Sequence, residues 1–243
     1  MIKLKQGRVE LQKSMIKLLS IADFISLTNA LFGFFSILVL FSSFIDDINL
    51  KIHISFSLIL LGLLADGLDG IVARKFGKSG IGEYLEAMAD MTTLVIAPAV
   101  FVYFIYSDLV SVSIYRNIYL LFALLLFVFF GFVRLASFGI MKEKKLFIGL
   151  PASASTIIIL NLSYLKVDFI LILPLVVIIG AAMASTIEFL KPNKYVNIFA
   201  SILIFLCILL EKNFYSVAPI LLLTAILIYS VGGPIYKFLI AKK

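Results

Sequence analysis

The sequence is short of charged residues, cysteine and tryptophan. Only 14% of its 243 residues are charged and 63% are hydrophobic, whereas a soluble domain has roughly a quarter of its residues charged. The single cysteine, Cys207, lies in an apolar run, so no disulfide can form within the chain and a cysteine-ligated metal is not expected. Without tryptophan, the tyrosines must supply any aromatic belt. This composition excludes a soluble globular protein and indicates a polytopic membrane protein.

Eight apolar runs occupy most of the chain. They fall at about 24–45, 50–69, 84–106, 118–140, 149–165, 169–189, 195–210 and 214–236. The runs are much longer than the strands of a membrane barrel, and each is near the roughly twenty residues that a helical span needs. We therefore predict an all-α polytopic membrane protein with about eight transmembrane helices and both termini on the same side.

The charges of the connecting loops predict which side that is. Lys and Arg collect at the N-terminus and at 74–78, 142–145, 191–194 and 237–243, whereas the other loops carry mixed charges. Because cytoplasmic loops are enriched in Lys and Arg, we place the first set, and both termini, in the cytoplasm of an integral cell membrane protein. The net charge of +7 is spread over short loops, which fits contact with anionic membrane lipids and not with nucleic acid.

Two domains are predicted. Residues 1–22 place apolar side chains on one helix face and lysines on the opposite face, which is typical of an amphipathic helix lying on the membrane surface. Residues 23–243 contain no strong repeat and no long linker, and we expect them to form a single transmembrane domain.

The most informative stretch contains four acids near the end of the second run and the start of the third. Asp66 and Asp69 are three residues apart, and Glu86 and Asp90 are four apart, so each pair shares one face of a helix. If the two helices turn these faces toward each other, four carboxylates converge where water solvates them poorly, and a cation must neutralise them. Ligands made only of oxygen favour Mg²⁺, Mn²⁺ or Ca²⁺ over zinc.

The spacing around these acids resembles the signature of the CDP-alcohol phosphotransferases. That signature is Asp, two residues, Asp-Gly, two residues, Ala-Arg, a spacer, then Gly and two further Asp at four-residue steps. The matching positions here are Asp66, Asp69, Gly70, Ala73, Arg74, Gly82, Glu86 and Asp90. The sequence departs from the pattern in a spacer about one residue short and in having Glu at the third acidic position.

Other stretches resemble the phosphatidylserine synthase subgroup of this family, including enzymes that use archaeal lipids. They are LTNALFGFFSI at 27–37, APA at 97–99, FVRLASFGI at 132–140, FIGLPASAS at 147–155 and STIEFLKP at 185–192. The resemblance implies transfer of a phosphatidyl group from CDP-diacylglycerol or CDP-archaeol to the hydroxyl of L-serine, with release of CMP. It also implies a homodimer and a divalent metal site of two ions, with Mg²⁺, Mn²⁺ and Ca²⁺ as the alternatives.

The resemblance assigns roles to particular residues. The four acids would hold the metal ions, and Asp90 would also take the proton of the serine hydroxyl. Residues expected to contact the CDP-lipid are Asn29, Gly70, Ala73, Arg74, Lys78 and Gly82. Arg134, near the end of an apolar run, is expensive there unless paired, and we expect it to bind the serine carboxylate.

Two alternatives remain open from the sequence. The same chemistry with a phosphorylated acceptor, glycerol 3-phosphate or an inositol phosphate, would need more basic residues beside the acids, and Arg134 and Lys194 could serve. A divalent cation transporter could also use four acids, but such sites lie near the membrane midplane and often accompany inverted repeats.

Overall fold

The computed structural model describes residues 15–77, 79–137, 146–210 and 216–241, and it is built almost entirely of helices. The chain forms a 3₁₀ turn at Met15–Leu18, then α1 at Ile21–Phe41, α2 at Ile48–Phe76, α3 at Gly82–Asp90, a π-helical segment at Met91–Ile96, α4 at Ala97–Ser111, α5 at Ile114–Ser137, β1 at Leu146–Ile148, α6 at Ala152–Tyr164, α7 at Phe169–Met183, β2 at Glu188–Leu190, α8 at Lys194–Leu210 and α9 at Val217–Ala241.

The predicted all-α membrane fold is confirmed, but the number of spans is not. Each predicted apolar run contains a helix, and within the described residues five stretches are long and apolar enough to cross a membrane: 21–41, 48–76, 82–111, 114–137 and 217–235. The helices α6, α7 and α8 are shorter, at 13, 15 and 17 residues. A 13-residue helix is only about 20 Å long, which is less than the hydrocarbon thickness of a bilayer.

The start of α1 is fixed by a capping box. Ser20 and Asp23 bond reciprocally, because the Asp23 N–H donates to Ser20 Oγ and the Ser20 N–H donates to Asp23 Oδ2. This arrangement satisfies helix N–H groups that have no partner within the helix. Most of the predicted amphipathic helix, residues 1–14, lies outside the described residues, so that helix and the domain boundary after it stay predictions.

The short helix α6 lies at the centre of the bundle. Eleven of its 13 residues are buried, and it contacts α2, α4, α7, α9 and the π-helical segment. A helix that is buried on all sides has no polar face, so its sequence shows no amphipathic period. Two hydrophobic clusters meet around α6, one with α4, α5 and α7, and the other with α2, α8 and α9.

A two-stranded antiparallel sheet joins the start of α6 to the end of α7. In its register Leu146 pairs with Leu190 and Ile148 with Glu188. The chain leaves β1 through Gly149, whose φ of 75° lies in the left-handed region, and the Gly149 N–H donates to the Ile187 carbonyl at 2.7 Å. A side chain at this position would run into the Met183 backbone, so glycine is required there.

Candidate active site

The end of α2 supplies two of the predicted acids. Asp66 and Asp69 are three residues apart on this helix, so their side chains lie on the same face. Asp69 is almost completely buried at 1% exposure, whereas Asp66 is half-buried. The helix ends at Phe76, and the capping residue Gly77, with a φ of 84°, begins the turn toward α3.

The helix α3 supplies the other two acids, Glu86 and Asp90. Ligand oxygens of Asp66, Asp69 and Glu86 all lie within 4.8 Å of one another. The Asp90 carboxyl group lies next to that of Asp66 and close enough to Glu86 and Asp69 to interact electrostatically with both. The structure therefore brings all four predicted acids into one small volume.

The chemistry of this cluster fits a hard divalent cation. Two neighbouring carboxylates repel each other unless they share a proton or have a cation between them. The four side chains offer only oxygen atoms, which Mg²⁺, Mn²⁺ and Ca²⁺ prefer. Within the described residues, Asp66, Asp69 and Glu86 form the only group of acids, histidines or cysteines close enough to hold a metal ion, and Asp90 lies beside it.

Two polar residues of α1 donate hydrogen bonds to two of the acids and so orient their carboxylates. Ser26 Oγ donates to Asp69 Oδ2 at 2.6 Å, and Asn29 Nδ2 donates to Asp90 Oδ1 at 3.0 Å. Ser26 is 3% exposed and Asn29 is fully buried, so both bonds are shielded from water. Such hydrogen bonds fix the carboxylates that would bind a metal and tune their affinity for it.

The sequence reasoning missed Ser26, although a signal for it exists. The buried face of α1 carries Asp23, Ser26, Asn29, Gly33 and Ser36 at three- and four-residue steps. Polar and small residues spaced in this way on an apolar helix indicate a face turned toward protein and not toward lipid. Asn29 was predicted to contact the CDP-lipid, and its amide here lies against Asp90.

The π-helical segment that follows Asp90 packs tightly against α1 and α2. Thr93, which is fully buried, donates from Oγ1 to the Asn29 carbonyl at 2.7 Å. A Cβ added to Gly33 would lie 2.7 Å from Thr93 Cα, and one added to Gly62 would lie 3.0 Å from Asn29 Oδ1. The two glycines therefore permit the close helix contacts that hold Asn29 beside Asp90. Single π-helical turns inside α-helices occur frequently at functional sites.

The small and basic residues of the signature border the acids. Gly70 is open, since among the described residues only the Arg74 guanidinium comes within 4 Å of a Cβ added there, at 3.8 Å. Arg74 is exposed, Ala73 is half-buried and Gly82 is buried. Lys78 lies outside the described residues.

Arg134 is buried near the end of α5, with 7% of its surface exposed. It lies three residues beyond Gly131, where an added Cβ would come 2.7 Å from Val95 Cγ1 of the π-helical segment. Residues three apart share a helix face, and α5 also contacts α3. Arg134 is therefore on the side of α5 that faces the acid-bearing rod, the continuous helical stretch 82–111 formed by α3, the π-helical segment and α4.

These features define an integral membrane protein with a carboxylate cluster shared by two neighbouring helices. A family model for the CDP-alcohol phosphatidyltransferases matches residues 19–229. The chain belongs to this family.

Relatives with assigned names agree with the subgroup resemblance. The chain is 35% identical over 190 residues to a CDP-diacylglycerol–serine O-phosphatidyltransferase of Methanocaldococcus jannaschii, covering 77% of this chain and 83% of that protein. It is 30% identical over 187 residues to an archaetidylserine synthase of Methanothermobacter thermautotrophicus, covering 73% and 72%. A Saccharomyces cerevisiae protein with the first of these names is 28% identical over 162 residues, covering 62% and 56%.

Proposed function

We propose that this protein transfers a phosphatidyl group from a CDP-linked lipid to the hydroxyl of L-serine and releases CMP. The observation that carries the proposal is the convergence of Asp66, Asp69 and Glu86 within 4.8 Å, with Asp90 against Asp66. Family membership supports the CDP-linked donor. The names of the relatives, CDP-diacylglycerol–serine O-phosphatidyltransferase and archaetidylserine synthase, support serine as acceptor.

The four acids would hold the divalent ions in this proposal. The family resemblance implies two ions, and the oxygen ligands favour Mg²⁺ or Mn²⁺. Ions bound there would neutralise the pyrophosphate and stabilise the charge that develops on the departing CMP phosphate. The exposed Arg74 guanidinium beside Gly70 adds positive charge next to the cluster. Because Gly70 has no side chain, the nucleotide can approach the α2 backbone closely there.

Asp90 accepts the proton of the serine hydroxyl, since that hydroxyl is a weak nucleophile until it loses its proton. Asn29 holds one Asp90 oxygen by the 3.0 Å hydrogen bond from its amide. This contact fixes the carboxylate, so that it meets the acceptor in one orientation.

Arg134 binds the serine carboxylate in this proposal. Its burial on the face of α5 toward the acid-bearing rod supports the assignment, because a guanidinium can bind a carboxylate through two parallel hydrogen bonds. Arg134→Ala should raise the KM for serine more than the KM for the CDP-lipid, and Arg134→Lys should recover only part of the loss. An increase confined to the CDP-lipid KM would remove this role.

The acidic cluster opens toward the cytoplasm in this proposal, because the basic loops adjoin the acid-bearing end of the bundle. A cysteine introduced at Ser79 in a Cys207→Ser background should react with an impermeant maleimide only in inside-out vesicles. Labelling of right-side-out cells instead would reverse the orientation.

The experiment that tests the function is CMP release by the purified protein from CDP-diacylglycerol or CDP-archaeol. We expect release to depend on L-serine and on Mg²⁺ or Mn²⁺. Glycerol 3-phosphate and an inositol phosphate are the comparison acceptors. Release with either of them and not with serine would overturn the acceptor assignment, and metal-independent release would overturn the mechanism.

A further inference from the structure

A cavity lies at the opposite end of the bundle from the acids. It has a volume of about 840 Å³ and is bordered by the end of α4, the start of α5 and the α6–α7 connection. Asp90 and Asp108 lie on the same helical rod, 18 residues apart, so the two sites are separated by roughly 27 Å. Two basic and two acidic side chains line this cavity: Arg116, Lys166, Asp108 and Asp168.

The two basic side chains that line this cavity are not neutralised by ion pairs. Across the described ranges 79–137 and 146–210, neither Arg116 nor Lys166 forms an ion pair with a carboxylate. Asp168 caps the N-terminus of α7, because its carboxylate accepts a hydrogen bond from the Ile170 N–H at 2.8 Å. The two cations are therefore available to an anionic ligand, while Asp108 offers a carboxylate to a cationic one.

The loop that carries Lys166 is held in place. Lys166 has a φ of 53°, and its N–H donates to the Ser163 carbonyl at 2.9 Å. The next residue, Val167, accepts a hydrogen bond from the Tyr106 hydroxyl of α4 at 2.5 Å. Because Tyr106 is 2% exposed, this bond ties the loop to the core. The wall of the cavity is thus formed before any ligand arrives.

An apolar groove runs from this cavity along the bundle between α5 and α7. It has a volume of about 360 Å³ and shares Leu173 and Pro174 with the charged cavity. Its remaining lining residues are Tyr119, Phe122, Ala123, Val177 and Ile178. A charged recess that continues into an apolar groove matches the two parts of a phospholipid.

We propose that this composite site binds a phospholipid, with its phosphate-bearing head between Arg116 and Lys166 and an acyl or isoprenoid chain along the groove between α5 and α7. Charge and shape together favour this occupant. Free phosphate would use only the charged recess, and a second protein copy packed on the groove would leave the charges unmatched. This site is separate from the acidic cluster and does not depend on the proposed reaction.

The test uses the absence of tryptophan from the chain. In Tyr119→Trp, the introduced tryptophan is the only one and lies in the groove, so phospholipids with brominated chains quench it when they bind there. The full-length protein in detergent micelles is titrated with brominated phosphatidylglycerol, with brominated diacylglycerol, which lacks the phosphate, and with inorganic phosphate as competitor.

We expect phosphatidylglycerol to quench at concentrations at least tenfold lower than diacylglycerol. In the same background, Arg116→Gln and Lys166→Gln should each weaken phosphatidylglycerol binding about threefold, and the double variant about tenfold, as expected for exposed ion pairs. Lys51→Gln removes a charge outside the cavity and should leave binding unchanged.

Four results would overturn the proposal. Equal quenching by the two brominated lipids would show that the head is not recognised. Wild-type affinity in the double variant would exclude the two cations. Complete displacement of phosphatidylglycerol by millimolar inorganic phosphate would show that the lipid chain adds nothing to binding. Protection of the tryptophan by a second copy of the chain in cross-linked dimers would show that the groove is a contact between copies.

Discussion

Replacing Ser26 by alanine tests whether α1 prepares the acids for metal binding. The Ser26 hydroxyl donates to Asp69 Oδ2 at 2.6 Å in a buried setting. A hydrogen bond to a charged group is worth about 1.5–3 kcal/mol. Loss of a residue that orients a metal ligand typically costs about 10–100-fold in metal affinity, or about 1.4–2.8 kcal/mol at 1.4 kcal/mol per tenfold. We therefore expect Ser26→Ala to weaken Mn²⁺ binding by 10–100-fold.

The assay is a Mn²⁺ titration of the purified protein followed by electron paramagnetic resonance, which does not require turnover. Ser36→Ala is the matched control, because Ser36 is buried on the same face of α1 and also donates at 2.6 Å, but to the Gly33 carbonyl. The control should lower stability without changing Mn²⁺ affinity. Unchanged Mn²⁺ affinity in Ser26→Ala, or equal losses in both variants, would refute the reasoning.

Three further predictions concern the base, the helix contact and the metal. Asp90→Asn should lower turnover by about 10²–10⁴-fold, while the affinity for the CDP-lipid stays within tenfold of the wild type. The control is Glu83→Gln, at an exposed position on the same helix. Loss of CDP-lipid binding in Asp90→Asn would make Asp90 only a metal ligand. Gly33→Ala should destabilise the protein by about 1–3 kcal/mol through overpacking, measured as earlier thermal exposure of the buried Cys207 thiol. Gly232→Ala should not, because a Cβ added there meets no described atom within 4 Å. Equal shifts in the two variants would contradict the packing argument. Chelation with EDTA should abolish CMP release and Mg²⁺ or Mn²⁺ should restore it, whereas full recovery with Zn²⁺ alone would contradict an oxygen-only ligand set.

The spacing of the acids was enough to predict how they meet. Helical periodicity places Asp66 with Asp69 and Glu86 with Asp90, and the short link between the two helices leaves little freedom in how they pack. The structure brings the four side chains together accordingly. Repulsion among carboxylates in a poorly solvated place then indicates a cation without any further information.

The supporting contacts could not be predicted in the same way. The bonds from Ser26 to Asp69 and from Asn29 to Asp90 join residues 43 and 61 positions apart, and helical periodicity specifies nothing about such pairs. The same limit applies to the pairing of Leu146 with Leu190, and strands of three residues are too short to show an alternating pattern.

The count of eight membrane spans stays a prediction, because apolar runs alone do not give the bounds of the helices. A buried helix is apolar on all sides and reads like a lipid-facing one. The predicted run 149–165 contains Gly149 and Pro151, which belong to the turn before α6, and only Ala152–Tyr164 is helical. The run at 169–189 likewise ends in β2, which begins at Glu188.

The central claim is that α2 and α3 pool their acids to hold divalent cations against a nucleotide-lipid pyrophosphate. The most direct test is a crystal structure of the protein with Mn²⁺ and CDP, using the anomalous scattering of manganese to locate the ions. We predict a manganese peak bonded to oxygens of Asp66, Asp69 and Glu86, with the CDP phosphates as further ligands. Bound CDP with no manganese at these carboxylates would contradict the account.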